Sequence, residues 1–344
     1  MSENPATTMR AVAYTEPLPV DDPGSLLDVR LPIPQPGPRD LLVKVEAVAV
    51  NPVDYKIRQA TDPGGEPKVL GWDAAGTVVA VGEEVRRFKA GDEVFYAGSV
   101  DRPGSDAEFQ AVDERLVARK PATLSFAQAA ALPLTSITAW EGLFEHLGLR
   151  DGGVERSGVL LVTAAAGGVG AMVCQLARVL TGLTVIGTAS RPETVDFARR
   201  MGADHLVDHH KPLPPQIREI APQGVDFVFS TSRTEKNIPA YAEVLKPFGQ
   251  IVAIDDPESL PVAALKPKGI GFHWEFMFSR SLFQTPDQDV QGLILGRIAR
   301  LVDAGAIVST LTEELSPINA ENMRDAHRRL ESGTTIGKIT LSGF

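Results

Sequence analysis

The residues of most chemical interest lie at 160–178, LLVTAAAGGVGAMVCQLAR. An apolar run enters a cluster of small residues, Ala166, Gly167, Gly168, Val169 and Gly170, and passes directly into a helical pattern. Glycines at such a turn let the backbone approach a pyrophosphate, and the helix N-terminus adds free N–H groups and positive dipole. Ala164 stands where the usual pattern begins with glycine. About 20 residues on, an NAD-binding turn carries Asp or Glu for the ribose hydroxyls. Here the next strand ends Gly187-Thr188-Ala189-Ser190-Arg191, with hydroxyls and a guanidinium in place of a carboxylate. Ser190 and Arg191 suit a 2′-phosphate, which a carboxylate would repel. The expected cofactor is therefore NADPH, although Arg191 also reads as a solvated helix-start residue.

These residues need a scaffold, and the chain supplies two patterns. The first third is β-rich: runs at 10–14, 41–50 and 75–81 alternate in strand fashion between Pro/Gly-rich turns, which suggests a partly closed barrel or sandwich. Residues 127–147 read as helical, interrupted at Pro133. Apolar runs at 158–163, 183–188, 205–208, 225–229, 250–254 and 269–272 then alternate with amphipathic segments, which is the pattern of βαβ units feeding a parallel sheet. A helix near 287, then a helix and a strand, close the chain, and that last strand is expected to return to the first domain.

Composition excludes several functions. A net charge of −10 offers no basic face for nucleic acid. No run of about 18 apolar residues suggests a membrane span. The opening MSENPATTMR lacks the apolar core of a secretory signal, so a cytoplasmic location is expected. The one cysteine, Cys174, cannot form an internal disulfide or a cysteine-rich zinc site, and reads as a packing residue.

Several segments carry a family resemblance: NPVDYKIR at 51–58, VLGWDAAGTVVAVGEEVRRFKAGDEV at 69–94, and ALPLTSITAWEGL at 131–143. AAAGGVG at 164–170, MGADHLVDH at 201–209 and RLESGTTIGKITL at 329–341 continue it. Together, over nearly the full length, the chain resembles the medium-chain dehydrogenase/reductase superfamily, and most closely its zinc-free quinone-oxidoreductase-like branch. The resemblance implies an α/β protein with a GroES-like β-rich substrate domain (1–133), a doubly wound Rossmann domain binding NADPH (134–280), and a return segment (281–344). It also implies an active-site cleft between the domains and a homodimer through the Rossmann edge strands. Zinc members carry Cys where this chain has Asn51, a His-Glu pair where it has Trp72-Asp73, and a four-cysteine lobe where it has the loop 96–110. No metal is expected, because Asn and Trp do not replace the ligands zinc requires.

The same resemblance places Asn51 beside the nicotinamide, with Thr138 also on the cofactor. Tyr55 and Lys56 are the polar hydrogen donors nearest the expected cleft, and Lys56 reads equally well as a solvated lysine. Asp54 and Arg58 suit one helical face and read as a structural ion pair. His209 is placed near the 2′-phosphate. Ser230, Thr231 and Ile254 end the fourth and fifth strands, where ligands of open α/β sheets bind, and Lys338 is carried over as a cofactor contact. Trp72, Phe276 and Phe278 are assigned to an apolar substrate pocket. The function expected is hydride transfer from NADPH to a quinone or α,β-unsaturated carbonyl without zinc. An alcohol dehydrogenase or ketone reductase, and a low-turnover NADPH-binding redox sensor, are the alternatives.

Overall fold

A computed structural model describes residues 7–344, with 153–157 described at the backbone only. The start of the opening segment read above, residues 1–6, lies outside the described residues. The chain divides into two compact units. One runs to Leu134 and resumes at Phe278–Phe344; the other is Thr135–Met277. Among the described residues no helix is long and apolar enough to cross a membrane.

The first unit is built on antiparallel strands. Asp40–Ala49 is central: it pairs with Asp73–Val81, Phe109–Asp113 and the final strand Lys338–Ser342. Its burial pattern shows why, since Val and Ala side chains are buried along almost its whole length. Thr340 lies opposite Ala49, so the last strand of the chain ends up beside the segment leading to Asn51. Leu311–Leu315 extends the same sheet in parallel beyond Lys338–Ser342. A smaller sheet of Leu27–Pro32, Thr8–Tyr14 and Lys68–Val69 packs Met9, Ala11, Ala13, Val69 and Ala107 into its own cluster.

The second unit carries a six-stranded, wholly parallel sheet. Its spatial order is His205–Val207, Thr181–Thr188, Gly153–Val162, Val225–Ser230, Leu245–Ala253 and Gly271–Trp274. In sequence order this is 3-2-1-4-5-6, with the switch point beside the first strand, as in doubly wound dinucleotide folds. The strand that precedes the glycine turn is thus central, and Leu160, Leu161 and Val162 are fully buried. The expected α/β class, with a β-rich unit and a Rossmann-type unit, is what forms. The interrupted helical run at 127–147 resolves into Phe126–Ala130, Pro133–Trp140 and a π-helical turn Glu141–His146. A side chain at Gly142 in that turn would collide with the Phe229 ring, which explains why the wide turn carries glycine there.

Candidate functional site

In the second unit the glycine turn is built as its residue types require. Helix Gly168–Leu180 starts from Gly167 in extended geometry, and its first-turn N–H groups have no partner within the helix. A Cβ on Gly170 would run into the Ala164 carbonyl oxygen and lie 2.9 Å from the Ala165 Cα, so only glycine fits. Ala164 itself takes a left-handed φ of 45°, a conformation that favours glycine.

Neighbouring strand ends tie this turn down. Thr188 Oγ1 accepts from the Ala164 N–H at 2.9 Å, and the Thr188 carbonyl accepts from the Ala165 N–H at 3.1 Å. On the other flank Thr163 Oγ1 accepts from the Thr231 N–H at 2.8 Å, while Thr231 Oγ1 donates to the Thr163 carbonyl at 2.7 Å. Thr188 and Thr231 therefore shape the cradle with the hydroxyls that were expected to meet a cofactor. Ser230 is a clear correction. It is fully buried, and its hydroxyl is shared between Thr234 Oγ1 and Tyr241 OH, both at 2.8 Å. Ile254 is half-buried at the end of the adjacent strand. Thr138 is buried in the helix Pro133–Trp140.

Cationic and hydroxyl groups gather past the ends of the second and third strands. Ser190 Oγ lies 3.3 Å from His209 Nε2, and the His209 and His210 ring centroids lie 4.5 Å apart with the rings tilted by 50°. The His209 pKa is pushed below its ordinary value, first by burial and then by the charges of His210, Arg233 and Arg191, with Asp208 opposing. Arg191 caps the following helix and pairs with Glu193 at 3.3 Å, leaving its side chain 42% exposed. His210 and Arg233 were missed in the sequence. Arg233 lies three residues past the fourth strand, where the strand-end rule applied to Ser230 would also have reached it.

In the first unit a second cluster forms at the start of the helix Pro52–Ala60. Asn51 is the N-cap, Pro52 occupies the first turn, and Asp54 Oδ2 accepts from the Asn51 N–H at 2.6 Å. The Asn51 side chain is engaged at both ends. Nδ2 donates to Asp73 Oδ2 at 2.8 Å and to the Ala49 carbonyl at 3.4 Å, while Oδ1 accepts from Lys338 Nζ at 2.5 Å. Lys338 also donates to the Val50 carbonyl at 2.7 Å and to Asp73 Oδ2 at 3.2 Å. An ammonium has three donors, so Lys338 is saturated and, contrary to expectation, has none left for a cofactor. Asp73 completes its shell with the Leu134 N–H at 2.7 Å.

All these groups are buried. Desolvation pushes Asp73 up and Lys338 down, and each is held back by the other's charge. Asp54 is pushed up to about 7, chiefly by burial. Asp106 is raised well above the carboxylate range by burial and by the charge of Asp54. The expected Asp54–Arg58 ion pair does not form. Arg58 instead donates to the Leu18 carbonyl, to Glu331 Oε1 at 2.5 Å and to His327 Nδ1 at 3.4 Å.

The pocket residues divide. Trp72 is fully buried, donates from Nε1 to the Ser99 carbonyl at 2.8 Å, and meets Phe278 edge-on at 6.0 Å. Trp72 and Phe278 are thus core partners rather than pocket walls, because both are fully buried and the one polar group of the pair, the Trp72 N–H, is already satisfied. Phe276 is 48% exposed. Tyr55 and Lys56 are half-buried on the helix after Asn51, and the Tyr55 hydroxyl makes no hydrogen bond among the described residues.

Zinc does not fit this cluster. Trp72 has no lone pair to give, the Asn51 carboxamide is committed, and an ammonium sits on the Asp73 carboxylate. Among the described residues no group of three or more His, Cys, Asp or Glu is placed to hold a metal ion. Cys174 is buried, with its thiol pushed up to about 12, as befits a packing residue.

Comparison with known proteins bears on the family. The "Alcohol dehydrogenase GroES-like domain" family matches residues 37–122, and the "Zinc-binding dehydrogenase" family matches residues 168–284. A zinc-type alcohol dehydrogenase-like protein of Staphylococcus aureus is 39% identical over 97% of this chain and 100% of its own length. The chloroplastic NADPH-dependent alkenal/one oxidoreductase of Arabidopsis thaliana is 33% identical over 92% of this chain and 75% of its own. A crystal structure from Rhizobium etli, whose zinc-dependent alcohol dehydrogenase name is provisional, superposes with a TM-score of 0.94 at 49% identity, covering 98% of both chains. With both units matched, in order and over almost every residue, this chain is an oxidoreductase of the medium-chain dehydrogenase/reductase superfamily.

Proposed function

We propose that the chain is an NADPH-dependent reductase of quinones or α,β-unsaturated carbonyls that works without zinc. One observation carries the cofactor choice: Ser190, Arg191, His209 and Arg233 gather past strand ends where an NAD site would place a carboxylate. The glycine turn suits a pyrophosphate, since the Gly170 position excludes any side chain and the helix N-terminus offers first-turn N–H groups without helical partners. When bound, the reduced nicotinamide supplies a hydride.

The protein's own groups then have defined tasks. Asn51 has both amide hydrogens engaged and its Oδ1 already accepts from Lys338, so it offers no donor and only the second lone pair of its oxygen. Polarising the substrate carbonyl falls to Tyr55, whose hydroxyl has no other partner among the described residues, with Lys56 beside it. Support for this substrate class also comes from the Arabidopsis relative, which carries the alkenal/one name.

The test is NADPH oxidation with a quinone, an aliphatic enone, an enal and a simple ketone, with NADH as control and a chelator throughout. Chelator-insensitive turnover of quinone or enone, with NADPH preferred, is the expected result. Chelator-sensitive reduction of the ketone would instead establish a metal-dependent alcohol dehydrogenase. Tight NADPH binding with no turnover of any acceptor would point to a redox sensor.

We further propose a cytoplasmic homodimer joined along the strand Gly271–Trp274. Among the described residues this strand pairs on one side only, with Leu245–Ala253, and it carries Trp274 at 50% exposure. An unpaired edge with an exposed aromatic is a template for a second copy. Proline in place of Phe272, which removes an edge N–H, is expected to give a monomer by light scattering. A dimer that survives it would place the interface elsewhere.

A further inference from the structure

We propose that Lys338 is the positioning residue for Asn51, fixing the orientation of its carboxamide from the far end of the chain. The inference deepens the proposed function, because it rests on the reading that Asn51 works beside the nicotinamide.

A carboxamide has one end that accepts hydrogen bonds and one that donates them. Its two ends are nearly isosteric, so an asparagine side chain flips unless its neighbours distinguish oxygen from nitrogen. Here both ends are read by charged groups. Asp73 Oδ2 accepts from Nδ2 at 2.8 Å, and Lys338 Nζ donates to Oδ1 at 2.5 Å. A flipped amide would set its NH2 against the ammonium and its oxygen against the carboxylate, and both contacts would be repulsive. One orientation is therefore satisfied and the other is opposed twice. Burial sharpens the choice: Asn51, Asp73 and Lys338 are all at most 4% exposed, so water cannot stand in for either partner.

The backbone holds Lys338 to this task. The final strand pairs antiparallel with Asp40–Ala49, and the Val50 N–H donates to the Ile339 carbonyl at 3.2 Å. That register sets a lysine 287 residues away in sequence directly over the turn at Val50 and Asn51. Its third hydrogen bond, to the Val50 carbonyl, fixes the ammonium to the backbone that carries Asn51. The lysine thus touches the asparagine and its anchor and, being saturated, acts through Asn51 rather than on the reacting atoms.

The test compares Lys338→Met with the wild type, and Lys338→Met/Asp73→Asn with Asp73→Asn. The second comparison removes both charges, which keeps the test open if the single variant leaves Asp73 buried without a partner and does not fold. Two readouts are taken on the full chain: the side-chain amide NMR signals of Asn51 without substrate, assigned by their loss in Asn51→Ala, and steady-state kinetics with NADPH and the best acceptor. Losing Lys338 is expected to shift or broaden the Asn51 signals and to lower kcat by on the order of tenfold to a hundredfold, with the NADPH KM nearly unchanged. In an Asn51→Ala background the Lys338 substitution is expected to add almost nothing to that loss. Unchanged Asn51 signals would overturn the positioning role. So would weakened NADPH binding with kcat intact, which would make Lys338 a cofactor contact. Signals that move while turnover stays intact would uphold the positioning and overturn the catalytic reading of Asn51.

Discussion

Arg191 and Arg233 reach the same small region by different routes. Arg191 opens the helix Pro192–Arg200, and Arg233, at a left-handed φ of 53°, precedes the helix Thr234–Val244. Both lower the His209 pKa, which puts both charges within electrostatic reach of one imidazole. That imidazole also meets Ser190, so a phosphate placed there would gain hydrogen bonds and relieve like-charge repulsion together. Replacing either arginine by alanine is expected to weaken NADPH binding by about tenfold, the worth of one charge-assisted hydrogen bond, and to leave NADH nearly unaffected. Titration of both cofactors by nucleotide fluorescence checks this. An equal loss for NADPH and NADH would move the arginines away from the 2′-phosphate. Arg191 was legible in the sequence because it follows a recognisable strand, three residues past its end at Thr188. Arg233 was missed although it lies only three residues past the fourth strand, because nothing local to it shows that this strand end faces the ends of the second and third strands.

At the scale of elements, the helix Pro52–Ala60 shows how one segment serves both site and scaffold. Its first turn carries Asn51 and Asp54, and its last turn carries Arg58, fully buried against the helix Ala320–Glu331. Arg58 ties this helix to Leu18, His327 and Glu331, three points from both ends of the chain. Arg58→Met keeps much of the apolar stem and removes the charge, so it leaves the Leu18 carbonyl and the Glu331 carboxylate short of a donor. A loss of about 3 kcal/mol is expected, the lower end for breaking a buried pair because Glu331 is partly exposed. Urea unfolding checks it, and a change within about 0.5 kcal/mol would make the tie ornamental. The sequence reading had Arg58 paired with Asp54, which the helical spacing allows. It went wrong because spacing reports which residues share a face and not what lies opposite. Neither family resemblance nor aromatic density records neighbours either: Trp72 and Phe278, assigned to a pocket, are core, and Lys338, carried over as a cofactor contact, is saturated by Val50, Asn51 and Asp73. The glycine turn was readable because its constraint is local: a strand, a backbone that must come close, and a helix start, all within twenty residues.

Across the whole molecule, buried ionisable groups set opposing slopes of stability against pH. Asp54 is raised to about 7 in the folded state, against about 3.9 for an unfolded aspartate. Between those values the folded chain holds a proton that the unfolded chain has released, so this contribution is full below about pH 4 and is lost as pH rises through about 7. His327 works in reverse. Burial and the Arg58 charge push it down to about 3, so between about pH 3 and 6.5 the unfolded chain binds the extra proton and this contribution grows with pH. The two slopes largely cancel in the intact protein over the acidic range, and single variants separate them. Asp54→Asn keeps an acceptor for the Asn51 N–H and removes the titration. The stability of wild type relative to Asp54→Asn is therefore expected to fall from pH 5 to pH 7 and to level off by about pH 8. The stability of wild type relative to His327→Gln, whose side chain does not titrate, is expected to rise from pH 4 to pH 6.5. Thermal midpoints taken at half-unit pH intervals check both signs. If both differences rose with pH, Asp54 would be ionised in the folded protein; if both fell, His327 would be protonated there.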